Sequence, residues 1–201
     1  IYGQTADMDS INAIADHHNL PVIEDAAQSF GATYKGKKSC ALSTIGSTSF
    51  FPSKPLGCLG DGGALFTDDD ELAEKLCWIR VHGQQRKHYH PILGLNGRLD
   101  TLQAAILLAC LAIFPEAVEL RRQVGQRYNA LLTEANLPDF QLPRILKSST
   151  SVYAQYTILS PDRDSLRERL TVREIPSVSY YAVPLHLQPV FSSLGYAKGD
   201  F

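Results

Sequence analysis

Short apolar runs that could form strands alternate with helix-forming segments along the first eighty residues. The strand candidates are 21–24, 44–51 and 63–67. Acidic residues that can cap a helix precede each helical pattern, with Asp7 or Asp9 before the first and 68–70 before the second. Strands that alternate with helices favour an α/β architecture with a largely parallel sheet.

The composition is that of an ordinary soluble globular protein. Hydrophobic residues make up 44% and charged residues 20% of the 201 residues, which is enough to bury a core. The net charge of −2 gives no general attraction to nucleic acid or to an anionic membrane surface. The longest apolar stretches, such as 104–114, are too short to span a bilayer, and the N-terminus shows no secretory signal. We therefore expect a cytoplasmic protein without nucleic-acid or membrane partners.

A long apolar stretch separates the first part of the chain from the second. Residues 99–114 are apolar nearly all round, which is typical of a buried helix. Pro115 is expected to interrupt this helix, because proline removes a backbone hydrogen bond. A charged amphipathic helix should follow over 116–135.

The last fifty residues predict a second, smaller domain. Residues 148–151 form a polar linker by composition, and a strand, a helix and a strand are predicted at 152–159, 162–173 and 177–183. We therefore place the later part of a large domain at 1–112 and a smaller α+β domain at 113–201. Both are expected to be incomplete, because the chain begins and ends inside elements.

Neither the cysteines nor a short group of histidines has the spacing or partners of a metal site. The four cysteines are too widely spaced for a zinc site or a disulfide framework, which favours buried or half-buried thiols. No carboxylate or cysteine completes a ligand set with His82, His88 and His90, so a solvated loop is favoured there and no metal is expected.

The residues best suited to chemistry lie between 24 and 63. Asp25 stands where a strand ends, which is where ligand sites form in open α/β sheets, and Gln28 can face the same cleft. Ser49 and Lys54 flank a Phe-Phe-Pro-Ser segment whose stiff backbone would direct the lysine amine one way. An ordinary solvated lysine remains the alternative on local context. The glycines of 57–63 precede a strand, so they do not match a dinucleotide-binding loop.

Several motifs along the chain occur in the order typical of one family. They are Glu24-Asp25-Ala26-Ala27-Gln28, 48–54, Gly60-Asp61-Gly62-Gly63, 82–84, 94–100, 151–157 and 184–189. With these motifs the chain resembles the DegT/DnrJ/EryC1/StrS sugar aminotransferases. The resemblance implies the aspartate aminotransferase-like fold of pyridoxal-phosphate-dependent transferases, fold type I. Family members are longer, so the chain is expected to lack the front of the large domain and the extreme C-terminus.

The resemblance also implies the cofactor, pyridoxal 5′-phosphate, and the residues that hold it. Lys54 would bond to the cofactor aldehyde and shuttle the proton. Asp25 would pair with the ring nitrogen, which makes the ring an electron sink. Gln28 would bind the phenolic oxygen and Ser49 the phosphate. Asn96 would reach the phosphate of the neighbouring subunit's cofactor, so the active site would be shared across a homodimer.

Two further residues are implied for the substrate. Arg98 matches an arginine that can hold a sugar carboxylate through two parallel hydrogen bonds, with an ion pair to Asp100 or a helix-terminus contact as the alternative. Tyr181 matches a position that faces the nucleotide-sugar, with a core tyrosine as the alternative. Gly97 departs from the serine usual in close members.

The closest branch implies a specific reaction. It aminates UDP-2-acetamido-2-deoxy-3-oxo-glucuronate in bacterial O-antigen and lipopolysaccharide synthesis, with glutamate as the amino donor. Related dehydratases use pyridoxamine phosphate and generally carry histidine at the position of Lys54, so the lysine argues against that alternative. The other alternative is a catalytically incompetent fragment, which would dimerise but hold the cofactor weakly.

Overall fold

The apolar runs and helical patterns of the sequence become strands and helices in the computed structural model, which describes residues 1–201. The chain divides into two compact units, Ile1–Ile158 and Leu159–Phe201. The first unit contains, in chain order, α1 (Met8–His17), β1 (Ile23–Asp25), β2 (Thr33–Tyr34), β3 (Lys37–Lys38), β4 (Ile45–Ser49), β5 (Gly63–Phe66), α2 (Asp70–Ile79) and α3 (Thr101–Glu134). The second contains α4 (Arg163–Val172) and the 3-10 segments Leu185–Leu187 and Pro189–Leu194.

A three-stranded sheet in the order β1-β4-β5 forms the centre of the first unit. β1 and β4 are parallel, with Asp25 opposite Ser47, whereas β4 and β5 are antiparallel, with Ser49 opposite Gly63. The carboxyl ends of β1 and β4 therefore meet at one edge of the sheet, and β5 begins at that edge. The predicted α/β class is confirmed, and one of the two pairings in this sheet is parallel.

The two faces of this sheet differ in burial. Alternate residues of a strand point to opposite faces. On the covered face the residues of β1 and β4 are buried: Glu24, Gly46 and Thr48. The residues of the other face are exposed or half-buried: Asp25, Ser47 and Ser49. A Cβ atom at position 46 would overlap the carbonyl of Cys40, so glycine allows the loop around Cys40 to lie directly on the sheet.

The main apolar core joins the sheet to α3. Its buried members are Phe50, Leu56, Cys58, Leu107 and Phe114. Phe30 extends the core, because its ring stacks on Phe114 at a centroid distance of 5.7 Å and on Phe66 at 6.1 Å. This packing fixes the middle of α3 against the loop that follows β4.

The helix α3 differs from the sequence prediction in two ways. It continues through Pro115 for 34 residues, so the predicted interruption is wrong. Proline costs one backbone hydrogen bond, and the flanking turns keep the helix intact. Along the helix only Leu107, Phe114 and Gly125 are buried. The prediction of a helix buried all round is therefore also wrong for these 201 residues, because the rest of the chain covers one side of it.

Length and composition would allow α3 to cross a membrane. The apolar stretch 104–114 by itself is too short to indicate a membrane span. The helix, however, extends well beyond that stretch. One helix of this kind is weak evidence, since the core helix of a soluble protein passes the same test.

The predicted polar linker at 148–151 is packed against the rest of the first unit. The Thr33 N–H donates to Thr150 Oγ1 at 2.8 Å, and the Thr150 N–H donates to the Thr33 carbonyl at 2.9 Å. Val152, which follows, is fully buried and donates its N–H to the Gly3 carbonyl at 2.8 Å. A segment tied down in this way positions side chains and does not act as a flexible connection.

The end of the chain keeps its predicted helix but not its predicted strands. α4 confirms the helix predicted at 162–173, and the Asp162 side chain caps it by accepting from the Ser165 N–H. No strand forms at 152–159 or 177–183. The domain boundary near residue 113 falls within the continuous α3 and stays a prediction.

Candidate active site

Asp25 and Ser49 lie at the shared edge of β1 and β4. Asp25 Oδ1 accepts the Ala27 N–H at 3.0 Å, which fixes the carboxylate at the strand end. Asp25 Oδ2 has no hydrogen-bond partner in the chain and remains available to a ligand. The ladder continues one step beyond the strand, because the Ala26 N–H donates to the Ser47 carbonyl at 2.8 Å.

The loop between β4 and β5 carries Lys54 and is closed by short backbone bonds. The Phe50 N–H donates to the Gly62 carbonyl at 2.7 Å, and the Cys58 N–H donates to the Phe50 carbonyl at 2.8 Å. The buried Cys58 thiol lies 3.1 Å from the carbonyl oxygens of both Phe50 and Gly60 and can donate to either. These contacts hold the two ends of the loop together, so its tip has a defined conformation.

Lys54 stands at the tip of this loop. The backbone N–H of Lys54 donates to the Phe51 carbonyl at 2.9 Å, and this bond closes a tight turn. The side chain is half-buried, and its amine has no hydrogen-bond or ion-pair partner in the chain. The loop leaves β4 and returns to β5 at the edge where Asp25 lies. The topology thus brings Asp25, Ser49 and Lys54 to one edge.

Gln28 follows β1 and contacts a residue from far along the sequence. The Gln155 Nε2 atom donates to Gln28 Oε1 at 3.3 Å, and both side chains are half-buried. Sequence reasoning did not single out Gln155. Its only signal was its place in the 151–157 motif, because the contact joins segments 127 residues apart.

Asn96 and Arg98 lie in the exposed segment that leads into α3. Arg98 Nε donates to Asn96 Oδ1 at 3.1 Å, and no ion pair joins Arg98 to Asp100. The segment ends beside the Lys54 loop, because Gln103 Oε1 accepts the Leu59 N–H at 2.9 Å. The predicted pair therefore lies at the start of a helix that contacts this loop.

Tyr181 belongs to the second unit, where it is exposed. Its ring meets that of Tyr180 edge-on at a centroid distance of 5.5 Å. The alternative of a core tyrosine therefore does not hold for this chain. A position of Tyr181 at the nucleotide-sugar stays a prediction.

Glu24 and Cys40 form a buried polar pair behind the candidate site. Glu24 Oε2 accepts the Cys40 N–H at 2.9 Å, and burial raises the pKa of the Glu24 carboxyl. Burial, together with the charges of Glu24 and Asp25, raises the pKa of the Cys40 thiol to about 12. Cys40 therefore stays a protonated thiol at neutral pH and is a poor nucleophile.

A family model for the DegT/DnrJ/EryC1/StrS aminotransferases matches residues 1–201. The chain belongs to this family. It is 53% identical to the UDP-2-acetamido-2-deoxy-3-oxo-D-glucuronate aminotransferase of Pseudomonas aeruginosa, over 94% of this chain and 52% of that protein. It is 40% identical to the UDP-N-acetyl-3-dehydro-α-D-glucosamine 3-aminotransferase of Acidithiobacillus ferrooxidans, over 96% of this chain and 51% of that protein. The chain spans about half the length of the curated relatives it matches.

Solved structures of family members confirm the fold. The chain matches DesV of Streptomyces venezuelae, solved with a ketimine intermediate, with a TM-score of 0.94 and 40% identity over 100% of this chain and 53% of that one. It matches a DegT DnrJ EryC1 StrS aminotransferase from Brucella abortus with a TM-score of 0.91 and 42% identity over 96% of this chain and 51% of that one. The predicted aminotransferase fold, represented here in part, is therefore confirmed.

The cysteines and histidines of this family member lie in contrasting surroundings. Cys40 and Cys58 are buried and Cys110 is half-buried as predicted, whereas Cys77 is exposed. His82 and His90 lie in an exposed loop, where the His82 carbonyl is 3.0 Å from His90 Nδ1.

Replacement of Gly57 tests whether the Lys54 loop depends on its close backbone contacts. An alanine Cβ at position 57 would lie 2.9 Å from the carbonyl oxygens of both Phe51 and Pro52, so the backbone beside Lys54 must shift. We expect Gly57→Ala to lower the free energy of unfolding by about 1–3 kcal/mol in urea denaturation.

Gly60→Ala is the matched control in the same loop. Its Cβ would meet Gln103 Nε2 at 3.1 Å, so that end of the side chain needs to shift by only a few tenths of an ångström, and Oε1 can keep its bond to the Leu59 N–H. We expect a change within about 0.5 kcal/mol. Equal effects of the two substitutions would show that the tight turn at Lys54 is not under steric control.

Proposed function

We propose that the protein containing this chain is a pyridoxal-phosphate-dependent aminotransferase that transfers an amino group from glutamate to a keto-sugar nucleotide. One observation carries the proposal: the loop that carries the half-buried Lys54, whose amine has no partner in the chain, begins and ends at the sheet edge where the anchored carboxylate of Asp25 lies. Membership of the aminotransferase family supports it, as do relatives whose names specify amination of 3-oxo sugars on UDP.

The free polar groups at this edge fit the functional groups of pyridoxal 5′-phosphate. Lys54 offers an amine for the aldehyde, and Asp25 Oδ2 offers a carboxylate oxygen for the protonated ring nitrogen. Gln28 Nε2 has no partner and can donate to the phenolic oxygen. Ser49 Oγ accepts the Phe51 N–H at 3.2 Å, which leaves its own hydrogen for a phosphate oxygen.

Each of these residues has a distinct chemical task. The bound cofactor supplies a ring that accepts electrons from the reacting carbon. The Asp25 carboxylate holds a proton at the ring nitrogen, and its bond to the Ala27 N–H keeps it oriented for that task. The Lys54 amine would hold the cofactor covalently and, when free, would move a proton at its Nζ atom.

Asn96 extends the proposed site to a second subunit. We assign its side chain to the phosphate of the neighbouring subunit's cofactor in a homodimer. Its exposed position at the surface of this chain and its contact with Arg98 support this assignment. Tyr181 is assigned to the nucleotide-sugar, and its exposed ring is compatible with that contact.

Arg98 is assigned to the carboxylate of a 3-oxo-glucuronate. Its Nε is bonded to Asn96, whereas the two terminal nitrogens have no partner in the chain. A planar guanidinium held on one side can grip a carboxylate in a defined orientation. The substrate is thus proposed to be a UDP-linked 3-oxo sugar acid, used in the cytoplasm for O-antigen or other lipopolysaccharide synthesis in bacteria.

Substitution of Lys54 tests the catalytic assignment. We expect Lys54→Ala to lower the turnover of glutamate and the UDP-3-oxo sugar by at least about 10³-fold, because both its covalent and its proton-transfer tasks are lost. Product formation would be followed by chromatography with the full-length protein. The control is Lys75→Ala, at an exposed position of α2, which should keep wild-type turnover. Comparable activity of the Lys54 variant would contradict the assignment.

Substitution of Arg98 tests the substrate assignment. Arg98→Lys keeps the charge but loses the planar pair of donors. We expect kcat/KM to fall about 10- to 100-fold for the 3-oxo-glucuronate nucleotide and to change little for the uncharged 3-oxo-glucose nucleotide. Arg169→Lys, on the exposed part of α4, serves as the control. Equal turnover of both nucleotides by the unmodified protein would exclude a carboxylate-specific site.

A further inference from the structure

The contact between Gln28 and Gln155 engages the acceptor end of the Gln28 amide, which has a donor end of similar shape. We propose that Gln155 is a positioning residue, which sets the end of the Gln28 carboxamide that faces the cofactor. This inference rests on the proposed function, in which Gln28 binds the phenolic oxygen. It concerns a residue to which sequence reasoning assigned no role.

A glutamine side chain has a donor end and an acceptor end of almost the same shape. Gln155 Nε2 donates to Gln28 Oε1 at 3.3 Å, so the acceptor end of Gln28 is engaged. Gln28 Nε2 is left with two free N–H groups. A phenolate oxygen accepts hydrogen bonds and cannot donate them, so the observed orientation is the one that attracts it. If the Gln28 amide were reversed, its Oε1 would face the phenolate oxygen, and two acceptors would lie against each other.

The segment around Gln155 is held firmly enough to act in this way. Val152 is fully buried and bonded through its N–H to the Gly3 carbonyl at 2.8 Å. The Tyr156 hydroxyl donates to Asn129 Oδ1 at 2.7 Å, and its ring stacks on Tyr128 at a centroid distance of 4.8 Å. A side chain presented from such a fixed segment can orient another side chain with little loss of entropy.

Through this contact, the segment that carries Gln155 could influence how Gln28 binds the cofactor. Gln28 stands just after β1, whereas Gln155 follows the packed stretch around Thr150 and Val152. Movement of that stretch would release Gln28 without changing Asp25 or Lys54. Gln155 therefore acts through Gln28 and is not assigned a contact with the cofactor itself.

The test uses a substitution that reverses the polarity of the contact without changing its size. In Gln155→Glu a carboxylate can only accept, so it would attract the Gln28 Nε2 and turn Oε1 toward the phenolic oxygen. This loss of a donor favours the protonated form of the bound chromophore. We expect the pH midpoint of the visible absorbance band of bound pyridoxal 5′-phosphate to rise by about one unit. Gln155→Leu removes the hydrogen bond to Gln28, so the Gln28 amide can take either orientation. We expect a smaller rise of the pH midpoint in this variant.

Two controls separate this effect from a general change of charge. Gln126→Glu adds the same charge at an exposed position of α3 and should leave the midpoint unchanged. In a Gln28→Ala background, Gln155→Glu should no longer shift the midpoint, because Gln155 acts through the side chain that has been removed. Circular dichroism would confirm that each variant is folded.

The outcomes distinguish this inference from the proposed function. A shift in Gln155→Glu that disappears in the Gln28→Ala background supports the positioning role. A midpoint equal to wild type, or a shift that persists without Gln28, overturns it while leaving the proposed function intact. An unmodified protein that shows no cofactor band overturns the proposed function and this inference together.

Discussion

The parallel pairing of β1 with β4 is the constraint on which the candidate site depends. Its register sets Asp25 opposite Ser47, which brings the ends of both strands to one edge of the sheet. The loop that carries Lys54 leaves β4 at this edge and returns there to begin β5. A slip by one residue would turn Asp25 toward the covered face, where burial would disfavour its charge.

Close contacts within the loop between β4 and β5 then determine the conformation of the backbone around Lys54. The Cys58 thiol and N–H hold the ends of the Lys54 loop, and Gly57 allows its turn to pass close to the preceding carbonyls. The polar atoms left without partners are those that a cofactor would use, on Asp25 and Gln28. The chain thus presents a preorganised set of donors and acceptors at one sheet edge.

Local sequence signals were sufficient for much of this structure. Apolar runs and capping acids identified β1, β4, β5, α2 and α4, and the strand end at Asp25 indicated where a ligand would bind. Features that depend on distant partners could not be read in this way. The ring of Phe114, next to Pro115, stacks on Phe30, the segment at 148–151 is tied down by Thr33, and Gln155 meets Gln28 across 127 residues. The exposure of most of α3 also depends on which elements pack against it, and local sequence does not show that.

The most direct test of the account is to trap the covalent bond that it assigns to Lys54. The full-length protein would be incubated with pyridoxal 5′-phosphate, reduced with borohydride, digested and analysed by peptide mass spectrometry. The account predicts one pyridoxyl adduct, on Lys54, which is absent from Lys54→Ala. A folded protein that carries no adduct, or carries it on other lysines, would contradict the account.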